Sequence, residues 1–162
     1  MTEPRIVVGV GRAAVHRSPA SLVTLALGSC VAIMVHDRES GAGGLAHVLL
    51  PAPGPDGAGE RATRYASTAP GALVAALRAL GVPARQLSAR LVGGASMFAN
   101  LGPPGATQVG ERNVVAAREA VRCAGLTLVG EAVGGDYGRN VEFVLPSGRI
   151  LVTSYAHDPE EL

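Results

Sequence analysis

The sequence predicts a single layered α/β (α+β) domain over residues 1–162, built as a sandwich of β-sheets and helices. Three observations lead to this fold class. The length of 162 residues suits one domain with one sizeable core. The composition, 48% hydrophobic and 17% charged, is that of an ordinary globular protein. Short β-branched runs bounded by glycine and proline are interleaved with two longer segments of helical periodicity.

The first half of the chain contains four short apolar runs that predict strands. They lie at residues 5–10, 22–27, 31–36 and 44–50. Gly28, Ser29 and Cys30 form a predicted turn between the second and third runs. The charged, glycine-containing segment 37–43 predicts a hairpin loop between the third and fourth. Segment 52–64 is rich in proline, glycine and charge, which predicts a mobile loop.

The second half of the chain contains both predicted helices. Residues 68–80 repeat apolar side chains at the spacing of one buried face, and Pro70 suits the first turn of such a helix. Ser67 or Thr68 can cap it. The second helix is predicted at 113–124. Further strands are predicted at 89–92, 126–133, 140–145 and 149–154, and a second long loop at 100–110.

Charge and cysteine content exclude several classes of protein. A net charge of +1 gives no reason to expect binding to nucleic acid or to an acidic membrane surface. All 14 basic residues are arginine, which excludes a lysine nucleophile. The sequence lacks both a signal-peptide pattern and an apolar run long enough to insert into a membrane. With two cysteines, a reduced cytoplasmic protein is the simpler expectation.

Cys30 and His47 are the candidate catalytic residues that the sequence itself offers. Cys30 stands on a Gly-Ser turn between two apolar runs, so we expect an exposed thiol on a rigid support, beside backbone N–H groups able to face an oxyanion. His47 lies inside the fourth apolar run. If the third and fourth runs pair as a hairpin, both residues meet at the same end of the sheet. An imidazole there can activate the thiol.

Other interpretations of these residues stay open at this point. A lone cysteine is more often a small core residue, and a histidine among apolar residues is more often a satisfied core side chain. Cys123, near a helix end, is expected to be a packed thiol. His16, His36 and His157 stand beside polar or charged residues, so we expect them at the surface. No close pairing of cysteine with histidine indicates a zinc site, and no metal is expected.

At these residues the chain resembles the CheD family of chemoreceptor glutamine deamidases. The segments that carry the resemblance are Thr24-Leu-Ala-Leu-Gly-Ser-Cys-Val31, Gly43-Gly-Leu-Ala-His-Val-Leu-Leu-Pro51, Arg64-Tyr-Ala-Ser-Thr-Ala69, Val92-Gly-Gly-Ala-Ser-Met97, Gly110-Glu-Arg-Asn-Val114 and Val133-Gly-Gly-Asp-Tyr-Gly-Arg139. Six blocks in order, spanning residues 18–153, are a more specific signal than any single motif.

The resemblance implies a fold similar to the catalytic domain of cytotoxic necrotizing factor toxins. It implies a catalytic set of Cys30, His47 and Thr24, in which Thr24 orients the imidazole. The implied reaction converts glutamine side chains of methyl-accepting chemotaxis receptors to glutamate through a cysteine thioester, without a cofactor. Ser29 and Gly28 are the expected oxyanion or substrate contacts. The phosphatase CheC is an implied partner.

Two other classes of function compete with a deamidase. One is a binding module that docks a receptor or a phosphatase without catalysis, although such an adaptor has no need for Cys30, His47 and Thr24 together. The other is a cysteine protease or a transglutaminase-like enzyme, which also forms a thioester and which the sequence separates poorly from a deamidase.

Overall fold

A computed structural model describes residues 2–55, 57, 61–98, 101–103 and 108–162. The predicted strands and helices occur in the predicted order, with two further short strands, and the predicted loops 52–64 and 100–110 lie partly outside the described residues. The strands are β1 (Arg5–Val7), β2 (Ala13–His16), β3 (Ser21–Leu27), β4 (Val31–His36), β5 (Gly43–Val48), β6 (Ser88–Gly93), β7 (Thr127–Val133), β8 (Arg139–Val144), β9 (Arg149–Thr153) and β10 (Glu160–Glu161). The helices are α1 (Ala69–Ala79) and α2 (Val109–Cys123), and a short 3-10 turn covers Ala62–Arg64.

The described strands form two five-stranded sheets. The first has the order β1-β3-β8-β9-β10 and the second has the order β2-β5-β4-β6-β7. Pairing is antiparallel except between β1 and β3 and between β6 and β7. Both helices pack on the second sheet, and the first sheet covers its other face. The molecule is therefore layered as helices, second sheet and first sheet, which confirms the predicted α+β sandwich.

Strand β4 lies at the centre of this arrangement, with both faces buried. Val31, Ile33 and Val35 belong to the core beneath the helices, whereas Ala32 and Met34 belong to the core between the sheets. Alternate side chains point to opposite faces of a strand. An uninterrupted apolar run is therefore what a strand buried on both sides requires.

Helix α1 confirms the predicted helix over 68–80. Pro70 occupies its first turn, and its buried face includes Leu73 and Leu77. Thr68 stands at the N-cap position, but its hydroxyl bonds to the carbonyls of Ala62 and Tyr65 and caps no helix amide. The cap residue therefore ties the helix to the preceding turn.

Helix α2 begins at Val109, four residues before the predicted start at 113. Gly110, assigned by the sequence to a loop, lies in its first turn, where a Cβ would clash with the Ala95 carbonyl oxygen. Only glycine allows this approach. Strands β2 and β10 were also not predicted, because β2 is short and alanine-rich and β10 is a pair of glutamates.

Candidate active site

The predicted hairpin of β4 and β5 is confirmed, and it sets the relation between Cys30 and His47. Val31 pairs with Val48 and Ala32 pairs with His47. Cys30 directly precedes β4, so both residues lie at the same end of the hairpin. Cys30 and Ala32 belong to the core between the sheets. Because His47 is the direct partner of Ala32, it lies on that same face.

Thr24 on the first sheet reaches His47 on the second. The Thr24 hydroxyl oxygen lies 2.7 Å from His47 Nδ1 and 2.7 Å from the Val8 carbonyl oxygen. A carbonyl can only accept, so the hydroxyl donates to Val8 and accepts from an Nδ1–H. The neutral imidazole therefore carries its proton on Nδ1, which leaves the lone pair on Nε2.

The Nε2 atom of His47 is buried and has no hydrogen-bond partner within the described part of the chain. The side chain as a whole is 1% exposed. Burial lowers the pKa of His47 below its ordinary value, because a charged imidazole is poorly solvated there. At neutral pH the ring is a neutral base with one nitrogen available.

Cys30 is more buried than the sequence led us to expect. Its residue is 9% exposed and packs in the core between the sheets, so the prediction of an exposed thiol is wrong. Burial raises the pKa of the Cys30 thiol, and a hydrogen bond from the Cys30 backbone N–H partly offsets that rise. Cys123 is the reverse case, since it was expected to be packed and is exposed on α2. Its position at the last turn leaves it outside the apolar stripe.

The turn that carries Cys30 is held through its carbonyl groups. The Gly28 carbonyl accepts from the Ala95 N–H at 2.8 Å, and the Cys30 carbonyl accepts from the Gly94 N–H at 2.8 Å. The Ser29 carbonyl accepts from Nδ2 of Asn113 at 2.9 Å. The backbone N–H groups of Gly28, Ser29 and Cys30 donate to no backbone carbonyl among the described residues. Within the described part of the chain, these three N–H groups are therefore not used in backbone pairing, although the Cys30 N–H contacts the Cys30 thiol.

A β-bulge precedes this turn on β3. The register of β3 against β8 shifts between Thr24 and Leu27. Ala26 lies within the bulge at φ 58°, a conformation that is costly for a residue with a side chain, and its N–H donates to Oδ1 of Asn140 at 2.9 Å. The bulge lets Thr24 stay fully buried while the chain turns out towards Cys30.

Several residues around the site were not singled out by sequence reasoning. Val8 supplies the carbonyl that orients Thr24, and Asn113 contacts the Ser29 carbonyl. Arg139 is 4% exposed, and its Nη1 donates to the Gly134 carbonyl at 2.8 Å. Asn113 and Arg139 both stand in blocks that the sequence marked without assigning them a role. The Val8 carbonyl carries no side-chain signal that a sequence could reveal.

The other histidines are distributed differently from the prediction. His36 was expected at the surface but is 5% exposed, because its ring meets Phe143 edge-on at 5.6 Å and its Nε2 lies 2.8 Å from the Leu145 carbonyl oxygen. His157 is exposed as expected, and His16 is half-buried. In the described ranges no three His, Cys, Asp or Glu side chains cluster as metal ligands would. No helix of those ranges is long and apolar enough to cross a membrane.

Comparison with known proteins shows which family the chain resembles. The model of the CheD family, described as CheD chemotactic sensory transduction, matches residues 49–154. That match begins after Thr24, Cys30 and His47, so the assignment of these residues does not depend on it. The fold is similar to a crystal structure of a Neisseria meningitidis protein of family DUF152, with a TM-score of 0.55 at 13% identity, covering 83% of this chain and 65% of that one.

Curated relatives extend the similarity over almost the whole chain. The probable chemoreceptor glutamine deamidase CheD 2 of Geobacter metallireducens is 42% identical over 158 residues, which is 97% of this chain and 98% of that protein. The chemoreceptor glutamine deamidase CheD of Thermotoga maritima is 39% identical over 146 residues, covering 90% of this chain and 89% of that one. The chain belongs to the CheD family.

Proposed function

We propose that this chain is a cytoplasmic protein-glutamine deamidase that converts glutamine side chains of chemotaxis receptors to glutamate. Cys30 is the nucleophile, His47 is the base and Thr24 orients the imidazole. One observation carries the proposal. A buried histidine, held at Nδ1 by Thr24, has an Nε2 with no hydrogen-bond partner among the residues that the structure describes, on the sheet face that it shares with Cys30. A purely structural histidine in such a core has both nitrogens satisfied in most proteins.

The pair rests in its neutral form. Burial raises the pKa of Cys30 and lowers the pKa of His47, so at neutral pH the proton stays on sulfur. The thiolate is then generated when substrate is bound, as the proton moves from Sγ to Nε2 during attack. This arrangement keeps the thiol less reactive towards other electrophiles.

The turn offers donors for the negative charge that develops during attack. The Gly28 and Ser29 carbonyls are engaged, which fixes the peptide planes that contain the N–H groups of Ser29 and Cys30. Neither N–H donates to a backbone carbonyl among the described residues, and the Cys30 N–H contacts its own thiol. Fixed N–H groups aimed at a developing oxyanion are the largest electrostatic contribution in many acyl-transfer enzymes. The Ser29 side chain, which is half-buried, is a further candidate donor.

The proposed reaction proceeds by acyl transfer. Cys30 Sγ attacks the glutamine Cδ, and His47 takes the thiol proton and delivers it to the departing ammonia. A thioester remains between Sγ and Cδ. Water, deprotonated by His47, then attacks the thioester, and the proton returns to sulfur as glutamate leaves. Each proton has a stated donor and acceptor, and no cofactor takes part in these steps.

A cleft of about 200 Å³ opens beside Ser29 and is where we expect the substrate side chain to approach. Met97 and Phe98 line it, together with Gln108 and Val109 at the start of α2. Met97 and Phe98 are 48% and 70% exposed. Apolar side chains beside the polar Ser29 suit the methylene groups and the amide of glutamine.

We place this activity in receptor modification during chemotactic adaptation. We base this role on the names of the two relatives described above, a chemoreceptor glutamine deamidase and a probable one. Binding of the phosphatase CheC stays a prediction made from the resemblance. Neither point is needed for the chemistry at Cys30.

The deciding experiment is incubation with a receptor cytoplasmic domain, followed by intact mass and peptide mapping. We expect the receptor to stay uncleaved and selected glutamines to become glutamate, with Cys30→Ala as the inactive control. Cleavage would indicate a protease, and crosslinking would indicate a transglutaminase. Binding without any change of mass would support an adaptor and reject the enzyme.

A further inference from the structure

Asn113 is a buried polar side chain that the proposed mechanism does not use. It lies in the second turn of α2 and is 0% exposed. A buried amide at a helix position that faces the core is unusual, because an apolar residue there adds packing without the cost of burying polar atoms. The hydrogen bonds of Asn113 explain why an amide is found there.

The Asn113 amide group joins two segments that are distant in sequence. Its Nδ2 donates to the Ser29 carbonyl at 2.9 Å and to the Leu49 carbonyl at 3.1 Å. Ser29 adjoins Cys30, and Leu49 lies two residues after His47. The two hydrogens of one NH2 group therefore bond to the two segments that carry the proposed nucleophile and base.

The contact with Ser29 also orients the peptide unit of Cys30. In a trans peptide the carbonyl of one residue and the N–H of the next point in opposite directions. When Asn113 holds the Ser29 carbonyl, it thereby directs the Cys30 N–H to the opposite side of the turn. That N–H is one of the proposed oxyanion donors, and it also contacts the thiol.

The remaining polar atom of Asn113 argues against a role in stability alone. Its Oδ1 is buried and has no hydrogen-bond partner in the ranges that the structure describes. An unpaired buried acceptor opposes folding. The site keeps this side chain despite that cost, which is reasonable if the two NH2 contacts serve the reaction.

We propose that Asn113 is a positioning residue, which sets the Cys30 turn against the His47 strand through the Ser29 and Leu49 carbonyls. The inference rests on the proposed function, since it concerns the same reaction. Asn113 touches neither substrate nor the reacting atoms in this role. It acts through the backbone on Cys30 Sγ, on the Cys30 N–H and on the end of β5.

The test is Asn113→Asp, which keeps the shape and removes both donors, compared with Val121→Ala as a matched control. Val121 is buried on the same helix and contributes to the core beneath α2, without a contact to Ser29 or Leu49 in the hydrogen-bond network. Each variant is assayed with the receptor fragment, and rates are expressed per folded molecule. We expect a roughly 10- to 100-fold loss of kcat for Asn113→Asp with KM little changed, as misplaced reacting groups produce.

The outcomes separate this inference from the function on which it rests. A wild-type protein that does not deamidate receptors rejects the proposed function itself. If the wild type is active and Asn113→Asp matches Val121→Ala in kcat per folded molecule, Asn113 is structural and the inference is wrong. Asn113→Ala serves as a second variant. If neither Asn113 variant folds, the residue is required for the fold and the positioning role is rejected.

Discussion

The two ends of the β4–β5 hairpin each bury a histidine, and the two rings differ in what they leave unpaired. His36 and His47 are 5% and 1% exposed, and burial is the main cause that lowers the pKa of both. His36 engages its Nε2 with the Leu145 carbonyl and lays its ring edge-on to Phe143. His47 engages Nδ1 with Thr24, and among the described residues its Nε2 has no hydrogen-bond partner. Burial of the ring is thus common to both, and what distinguishes His47 is that the nitrogen without a partner is itself buried, on the face of Cys30.

The surroundings reinforce this contrast. The His36 ring packs closely against Gly148, where an added Cβ would come within 2.8 Å of the ring, and it also lines a cavity of about 380 Å³. Arg90 donates to the Gly148 carbonyl at 3.1 Å on the same side. At the His47 end, the N–H groups of Gly28, Ser29 and Cys30 donate to no backbone carbonyl in the described ranges. We therefore expect the His36 ring to be structural and the His47 ring to take part in the proposed reaction.

The largest expected effect is that of removing the nucleophile. Cys30→Ala alters only the His47 end of the hairpin and should reduce receptor deamidation to the uncatalysed level, because no thioester can form. Its cost in stability is about 1 kcal/mol, the usual size for trimming a small buried side chain. Peptide mapping measures the activity and thermal unfolding measures the stability. Residual turnover in the folded variant would remove Cys30 from the mechanism.

The contrast between His36 and His47 is tested directly by replacing each histidine with asparagine. His47→Asn should lower kcat by roughly 10²- to 10⁴-fold, the usual contribution of a general base. His36→Asn should leave kcat near the wild-type value and lower the free energy of unfolding by about 1–3 kcal/mol, because the Leu145 carbonyl loses its partner. Equal losses of kcat per folded molecule in the two variants would contradict the distinction.

The pH dependence should separate stability from turnover. Both histidines bind a proton less readily in the folded chain, so below about pH 6.5 the unfolded chain holds more protons. The free energy of unfolding should therefore fall as pH drops below that value towards the folded pKa values. Turnover should fall only as His47 becomes protonated.

His36→Asn serves as the control for this pH profile. It should weaken the pH dependence of stability while leaving the acid limb of kcat unchanged. Chemical denaturation and single-substrate assays across pH 4–8 measure the two quantities, a range chosen to bracket the ordinary pKa of histidine at about 6.5. A shift of the kcat profile in the His36 variant would show that the two ends of the hairpin are coupled.

A smaller effect is expected from removing the hydrogen bond that orients the His47 imidazole. Thr24→Ala removes the hydroxyl between the Val8 carbonyl and Nδ1 of His47, and should lower kcat by roughly 10-fold, since both reacting groups remain. Thr24→Ser keeps the hydroxyl and is the matched control. A Thr24→Ala enzyme as impaired as His47→Asn would mean that Thr24 does more than orient the ring.

The smallest effect concerns the two thiols. Cys123 is exposed, whereas burial raises the pKa of Cys30 and limits access to it. Iodoacetamide should therefore modify Cys123 first at neutral pH, and Cys123→Ser should leave only slow labelling at Cys30. Time-resolved peptide mass spectrometry measures both rates. Faster labelling of Cys30 would indicate that its thiolate is already formed in the free enzyme.

Short-range features of the site were predictable from sequence. The loop 37–43 sets an antiparallel hairpin, and its register follows from the apolar runs that flank it. That is sufficient to bring Cys30 and His47 to one end of a sheet. The helix over 68–80 was equally accessible, because its apolar spacing and Pro70 agree with each other.

Contacts between the layers of the fold could not be predicted from local sequence pattern. The role of Thr24 depends on a contact from the first sheet to the second, which local pattern does not encode, and it was reached only through the family resemblance. His36 looked exposed because Asp37 and Arg38 follow it, yet Phe143 from the other sheet covers it. Asn113 seemed to begin a helix and in fact lies inside one, where its side chain faces the turn.

The hydrogen bonds that hold the Cys30 turn have a consequence for the hydrogen–deuterium exchange of backbone amides. Gly94 and Ala95 lie just beyond β6, where loop protons ordinarily exchange with deuterium quickly. Here both are buried, and their N–H groups donate to the carbonyls of Cys30 and Gly28. Their deuterium uptake should be slow, while that of the exposed Met97 nearby should be fast. The integrity of the turn that carries the proposed nucleophile can therefore be measured without any receptor present, from the exchange of two amide protons that hold it.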